Sequence, residues 1–373
     1  MRATKIILLL MLTVSLTPCL HPVFAQAPQG KIAEWDKIIE AAKKEGKVFA
    51  SIPPSPELRK GMEIAFTRRY GISVEFMPAR GGAIIQRMVG EAKAHMQYFD
   101  VHFGGTESIV TGLLPENILA AVEPSFALPE VKDAKQWWGG HFWVDNARRF
   151  VYPFVAYQTV SLWCNPSEYK ALEFQSFDDL LNPKLKDKIG MSDPRTSGAG
   201  NSMWSHMLAI KGEEYLNRLM AQKPFVARDL RLLGENLSKG KIAVTVGIGY
   251  SELFPFIKAG LPIAPLPTPR EGVFATSGYG NLVIFKNAPH PNAAKVFVNW
   301  LLSRDGQEIF GRAMGVASRR LDVDTRWTKE FGVIGAKDGL SLEQYRRLEN
   351  QSEDKIYKLR EPGAAAARKL LGS

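Results

Sequence analysis

The sequence predicts an α/β fold built from parallel sheets with helices on their faces. Three observations predict it. Short apolar strands alternate with amphipathic helices at Val48–Ile52, Ile72–Met77 and Asp100–Phe103. Each of these strands runs into a loop of small and hydroxyl residues, and a second series of the same kind begins at Ser176. Strands so spaced, each followed by a helix, bury their apolar faces most simply as a parallel sheet covered by those helices.

In chain order, the first 25 residues read as an export signal. Arg2 and Lys5 form a positive start, Ile6 to Leu16 an apolar run, and Val23-Phe24-Ala25 a small-residue cleavage site before Gln26. The run is shorter than the roughly 20 residues a membrane span needs. Trp35, Ile38, Ile39 and Ala42 then recur at helical spacing and stop at Gly46. Pro53-Pro54-Ser55-Pro56 makes a rigid loop after the first strand. Leu58, Met62, Ala65 and Phe66 mark the second helix, ending near Gly71. Arg80-Gly81-Gly82 is the loop after the second strand, followed by a helix through Ile84, Ile85, Met88, Val89 and Ala92. Gly104-Gly105-Thr106 follows the third strand. From Pro153 to Trp163 the chain is apolar and extended, and Ser176-Phe177-Asp178-Asp179-Leu180 is a capped helix start.

In the second series, the strand Ile189–Ser192 leads through Asp193 to Asn201 into a helix containing Trp204, Leu208 and Ile210. Helices at Glu213–Met220 and Asp229–Leu237 precede the strand Ile242–Val246. Gly247 to Ser251 opens a helix near Glu252–Lys258. After a proline-rich turn, Val273–Ser277 crosses the molecule, Asn281–Phe285 is a strand, and His290-Pro291-Asn292 caps a helix through Val296, Phe297 and Trp300. The last 50 residues are charged helices ending in an alanine-rich stretch, Ala364 to Ala367.

Bulk composition excludes several classes. The formal net charge of +10 falls to +8 without Arg2 and Lys5, and the basic residues are scattered pairs, not a patch interleaved with aromatics. No nucleic-acid partner is expected. Removing the signal takes Cys19 and leaves Cys164, so no intrachain disulfide is available and stability rests on apolar cores. Catalysis would need a nucleophile with a base, or metal ligands. The histidines stand singly, and Ser197 lies in Ser-Gly-Ala-Gly, not a nucleophile elbow. No catalytic residue, metal or cofactor is expected.

The strongest single motif is Asp193-Pro194-Arg195-Thr196-Ser197-Gly198-Ala199-Gly200-Asn201. Its glycines turn the chain tightly, and its hydroxyls stand beside the free N–H groups of a helix start, a ready place for an anion. Arg195 adds a planar, permanently charged fork. The loops after the first three strands supply Ser51, Ser55, Arg80, Gly81, Gly105 and Thr106, and sheets of this type bind ligands at such loops. Tyr250 and Tyr279, in glycine-flanked turns, complete the candidate set.

These pieces together resemble the periplasmic solute-binding proteins of ABC importers, in the branch with ferric-ion, thiamine, polyamine and phosphonate or sugar-phosphate binders. The resemblance is carried by Glu91 to Val101, Pro183 to Ile189, Asp193 to Gly200, Leu237 to Ala243, and His290 to Gln307. It implies a type II fold of two α/β lobes joined by crossing strands, with solute bound between them. The implied division puts 31–152 and 277–322 in lobe one and 153–276 and 323–373 in lobe two. Tyr152–Tyr157 and Ala275–Tyr279 are the crossings. It implies a periplasmic monomer that meets an inner-membrane permease transiently. Ferric-ion binders of this branch resemble one another in adjacent tyrosines where this chain has Gly249-Tyr250-Ser251. With one tyrosine there and Arg80 and Arg195 in the loops, the expected solute is a small anion: a carboxylate, a phosphonate or a phosphate ester. Ferric-ion binding and periplasmic ligand sensing remain the alternatives.

Overall fold

A helix, Gln29–Glu45, precedes the first strand in the computed structural model, which describes residues 29–79 and 81–372. The expected signal segment and Arg80 lie outside the described residues. The strands run in chain order β1 (Lys47–Ile52), β2 (Ser73–Pro78), β3 (Val101–Gly104), β4 (Leu119–Ala120) and β5 (Tyr152–Pro153). They continue as β6 (Tyr157–Thr159), β7 (Leu162–Cys164), β8 (Ile189–Ser192), β9 (Phe225–Ala227) and β10 (Val244–Val246). The last are β11 (Ala264–Pro265), β12 (Ala275–Thr276), β13 (Asn281–Phe285) and β14 (Val333–Gly335).

The strands form three sheets. The first has the order β2-β1-β3-β13-β4, with β5 also on β13, and the second the order β11-β7-β10-β8-β9. The crossing strands β12, β6 and β14 make a small third sheet between them. The parallel expectation holds for β1 with β2 and β3, and for β8 with β9 and β10. Both large sheets are nonetheless mixed. Strand β13 returns from the second half of the chain and pairs antiparallel with β3, β4 and β5, and β7 pairs antiparallel with β10 and β11. Strand direction is set by where the chain re-enters a sheet, which local periodicity does not record.

Each lobe has its own core. In the first, Val48, Ala50 and Ile52 of β1 are fully buried against Phe66 of the Pro56–Tyr70 helix and Phe297 and Trp300 of the Pro291–Leu302 helix. Phe66 stacks edge-on to Phe297 and Trp300 at centroid distances of 5.2 and 5.4 Å. In the second, Trp204, Met203 and Met207 of the Ala199–Ala221 helix pack on Ile189, Met191, Val244 and Val246. Gly212, at φ 79°, breaks that helix where the sequence suggested two. Full burial of each such side chain contributes roughly 1.5–3 kcal/mol, so neither lobe needs a disulfide; Cys164 is buried and free.

The C-terminal segment, expected on lobe two, touches both lobes. Ile356 is buried in a lobe-one cluster with Val110 and Leu113, whereas Ala367 joins the lobe-two core. The segment winds through a π turn, Ile356–Arg360, into the Glu361–Leu371 helix, and Tyr357 Oη donates to the Val110 carbonyl of a second π turn, Ile109–Leu113. Single π turns inside helices frequently accompany functional sites.

Candidate functional site

Three helix starts converge on the cleft between the lobes. Their N-cap residues are Gly105, Gly198 and Gly249, and none makes a side-chain cap hydrogen bond. A helix start leaves its first N–H groups unpaired and carries partial positive charge. Glycine at the cap lets another chain or a solute come close. Gly198, at φ 146°, also adopts a backbone that other residues rarely take. The cleft is lined from lobe one by Gly105, Thr106 and Glu107, and from lobe two by Ser197, Gly198, Ser202 and Tyr250. The crossing strands contribute Tyr157, Thr159 and Thr276. The cleft encloses a cavity of about 100 Å³, room for a small solute.

At the base of this cleft lies Arg360. Its side chain is 2% exposed, and its Nε donates to Asn201 Oδ1 at 2.6 Å. Nη2 donates to Glu107 Oε2 and to the Gly198 carbonyl, the latter at 3.2 Å. Nη1 has no partner among the described residues. Burial pushes this guanidinium down from its ordinary value, opposed by the carboxylates of Glu107 and Glu361. An arginine stays charged in proteins even so. Asn201 is itself fully buried and donates from Nδ2 to the carbonyls of Pro194 and Arg360 at 3.1 and 3.2 Å. It therefore fixes the arginine from both ends.

Opposite stand three tyrosines. Burial pushes the Tyr157 phenol well above its ordinary value, with Tyr279 and Glu252 adding to the effect. Tyr250 is raised by burial too, Glu57 reinforcing and Arg312 opposing. Tyr279 Oη donates to Glu252 Oε1 at 3.4 Å, and Ser251 Oγ donates to Glu252 Oε2 at 3.0 Å. Among the described residues no three His, Cys, Asp or Glu side chains are grouped to hold a metal ion.

Of the candidates named from sequence, Gly105, Thr106, Ser197, Gly198, Tyr250 and Tyr279 line the cleft. Ser51, Ser55, Gly81, Arg195, Thr196, Gly200 and Asn201 do not. Arg195 is the main correction. Its Nε and Nη2 grip the two oxygens of Asp193, each at 2.9 Å, and its Nη1 donates to the Gly372 carbonyl at 3.0 Å. A carboxylate two residues earlier takes the fork that was expected to face the solute. Thr196 Oγ1 donates to the Asp193 carbonyl, and Ser55 caps its own helix by accepting from Leu58 N. Ser51 is buried in β1, and its hydroxyl has no partner among the described residues. Gly81 begins the Gly81–Lys93 helix. Gly200 is packed so closely on the Ser192 carbonyl that an added Cβ would lie 2.4 Å from its oxygen. Lining residues outside that candidate set include Arg360, Glu107, Gln351 and the crossing-strand residues Tyr157 and Thr276. Arg360 falls on the same helical face as Ile356, Gly363, Ala364 and Ala367, an apolar stripe interrupted by one charge.

Two lobes, crossing strands and an interlobe cleft are the architecture of type II periplasmic binding proteins, and the sequence comparison decides the family. The chain belongs to the bacterial extracellular solute-binding protein family. The model of that family matches residues 51–308. Among solved structures, the chain is similar to the periplasmic binding protein P5PA at 21% identity, covering 86% of this chain and 99% of that one, with a TM-score of 0.63. It is similar to AfuA from Actinobacillus pleuropneumoniae, whose structure has exogenous fructose-6-phosphate bound, at 18% identity over 87% of this chain and 99% of that one, with a TM-score of 0.63. Iron-bound HitA from Pseudomonas aeruginosa matches at 16% identity over 87% and 99% of the two chains, with a TM-score of 0.65. These likenesses establish the fold. An uncharacterized protein of Haemophilus influenzae shares 28% identity over 137 residues, which is 35% of this chain and 38% of that relative's length. As a member of this solute-binding family the protein is a substrate-binding component of the ABC-importer type, and membership implies export.

Proposed function

We propose that this solute-binding protein captures a small anion, a carboxylate, phosphonate or phosphate ester, and delivers it to a membrane permease. One observation carries the reading: the buried Arg360 guanidinium lines the cleft beside the uncapped start of the Ala199–Ala221 helix, and its Nη1 has no partner among the described residues. A free guanidinium edge and unpaired helix N–H groups at one place favour negative charge on what binds there. The hydroxyls of Thr106, Ser197 and Ser202 add neutral donors around it. AfuA, of the same fold, binds a sugar phosphate, which is in keeping with this class.

Ferric-ion binding is the second reading, favoured by Tyr157, Tyr250 and Tyr279 in one cleft and by the fold shared with iron-bound HitA. Hard ferric ion wants anionic oxygens. Among the described residues no three His, Cys, Asp or Glu side chains are grouped to supply them beside these phenols, so the anion reading has the better chemical support.

The test is a thermal-shift screen of the mature protein with carboxylates, phosphonates, phosphate esters, organic cations and Fe³⁺, repeated on Arg360→Met. A ligand that binds only the folded state raises its melting temperature. Anions should stabilise the wild type and lose that effect in the variant. A charge-assisted hydrogen bond contributes about 1.5–3 kcal/mol, so affinity should fall about ten- to a hundredfold. Stabilisation by Fe³⁺ or cations alone overturns the anion reading.

A further inference from the structure

The Arg360–Glu107 pair joins the two lobes across the cleft. Glu107 stands in the first turn of the Thr106–Ser108 helix, which runs directly into the Ile109–Leu113 π turn packed in a lobe-one core. Arg360 is held to lobe two through Asn201 and the Gly198 carbonyl. Both side chains are almost fully buried, at 2% and 6% exposed, and both line the cleft. Of the five donors of the guanidinium, those on Nε and Nη2 are engaged and those on Nη1 are not.

A guanidinium can hold a carboxylate with two parallel N–H bonds. Here Glu107 meets the fork with a single oxygen, Oε2, on Nη2, and the buried Nη1 has no partner among the described residues. We propose that Glu107 is a built-in stand-in for the solute's own anionic group, and that its negative charge tunes the cleft to solutes carrying a single negative charge. This rests on the anion reading above.

A solute oxygen on Nη1 shares the guanidinium with the Glu107 carboxylate on Nη2, so the two negative groups are neighbours. Their repulsion acts in a buried site where water screens it poorly. A second charge on the solute doubles its attraction to Arg360 and its repulsion from the carboxylates alike, and the lining sets one cation against two carboxylates, Glu107 and Glu252: among the described lining residues Arg360 is the one Lys or Arg. That balance disfavours the second charge.

Inorganic phosphate is the probe, because it passes from monoanion to dianion between about pH 5 and about pH 8.5, near the second ionisation of phosphate groups. Calorimetric titration of the wild type at the two pH values should show tighter binding of the monoanion. Glu107→Gln should gain about tenfold or more in affinity for the dianion, with a smaller gain for the monoanion, so the preference narrows or reverses. Glu107→Asp, which keeps the charge, should keep the wild-type preference. Arg360→Met should bind neither form. If Arg360→Met abolishes binding while Glu107→Gln leaves the preference unchanged, the stand-in role is wrong and the anion reading survives. Should Glu107→Gln fail to fold, the wild type still decides: a dianion bound as tightly as the monoanion overturns the proposal. A wild type that binds neither form overturns this inference, and the anion reading falls with it only if the carboxylates, phosphonates and phosphate esters of the thermal-shift screen also fail to stabilise the protein.

Discussion

Replacing Arg195 with alanine should cost stability and leave solute binding almost untouched. The carboxylate of Asp193 is 2% exposed and Arg195 is 21% exposed, so the pair is mostly shielded from water. Burial would raise the Asp193 carboxyl. The side-chain and backbone hydrogen bonds from Arg195, with a further one from Arg228 Nε at 2.9 Å, outweigh it and hold the group at about 2. Relative to 3.8 that displacement corresponds to about 2.5 kcal/mol shared between the two arginines. Arg228 is 68% exposed and supplies the weaker part. Arg195→Ala should therefore lose about 1–2 kcal/mol at neutral pH, less than the several kcal/mol of an orphaned buried charge, because Asp193 keeps Arg228. The sign with pH follows from a depressed carboxyl: the contribution is complete above pH 3.8 and is lost as pH falls through about 2. Urea unfolding of wild type and variant, near pH 7 and again near pH 2, measures this directly. The gap between the two proteins should shrink in acid, and affinity for the best anion should change by less than about twofold, since no ligand hydrogen bond is lost. A variant that keeps full stability but loses ten- to a hundredfold in affinity refutes the reasoning and returns Arg195 to the binding site.

Two further outcomes follow from buried groups. His102 lies buried in β3, and burial pushes it from 6.5 down to about 4, opposed by a backbone hydrogen bond at Ser51. The unfolded chain then binds a proton that the folded chain refuses, so stability should fall by about 3 kcal/mol as pH drops from 6.5 through about 4, and His102→Phe should remove much of that slope in an acid unfolding titration. A slope unchanged by the substitution counts against this assignment. Burial likewise pushes the Cys164 thiol up to about 11, so a thiol reagent should leave it unmodified in the native protein and label it on unfolding; rapid native labelling contradicts its burial.

The cores were legible because their apolar residues recur at the period of the element they occupy. Val48, Ala50 and Ile52 read as a strand, Leu58, Met62 and Phe66 as one helix face, and all six are fully buried. The mixed sheets were not legible, since nothing within Asn281–Phe285 says it will run against β3. In the site, the glycine-rich turn reaches the cleft, for Ser197 and Gly198 line it. The charge was assigned to Arg195 because sequence shows neighbours along the chain but not which one a side chain turns towards. Asp193, two residues earlier, was close enough to take it. Arg360 comes from a stretch rich in Lys and Glu, where a charge ordinarily faces solvent. The clue was positional: it stands four residues after Ile356 and four before Ala364, both buried. A charge on a buried stripe needs a partner, and Asn201 and Glu107 are far away in sequence.

The central claim is that Arg360 holds the solute's negative group. It is tested most directly by a crystal structure of the mature protein with its tightest-binding anion, read as the distance from the anion's oxygen to Arg360 Nη1. The account predicts a charge-assisted hydrogen bond of about 2.7–2.9 Å, with N–H groups of the Gly198–Ala199 helix start facing the same ligand. An anion bound elsewhere, or one in the cleft with Nη1 still unpartnered, would contradict it.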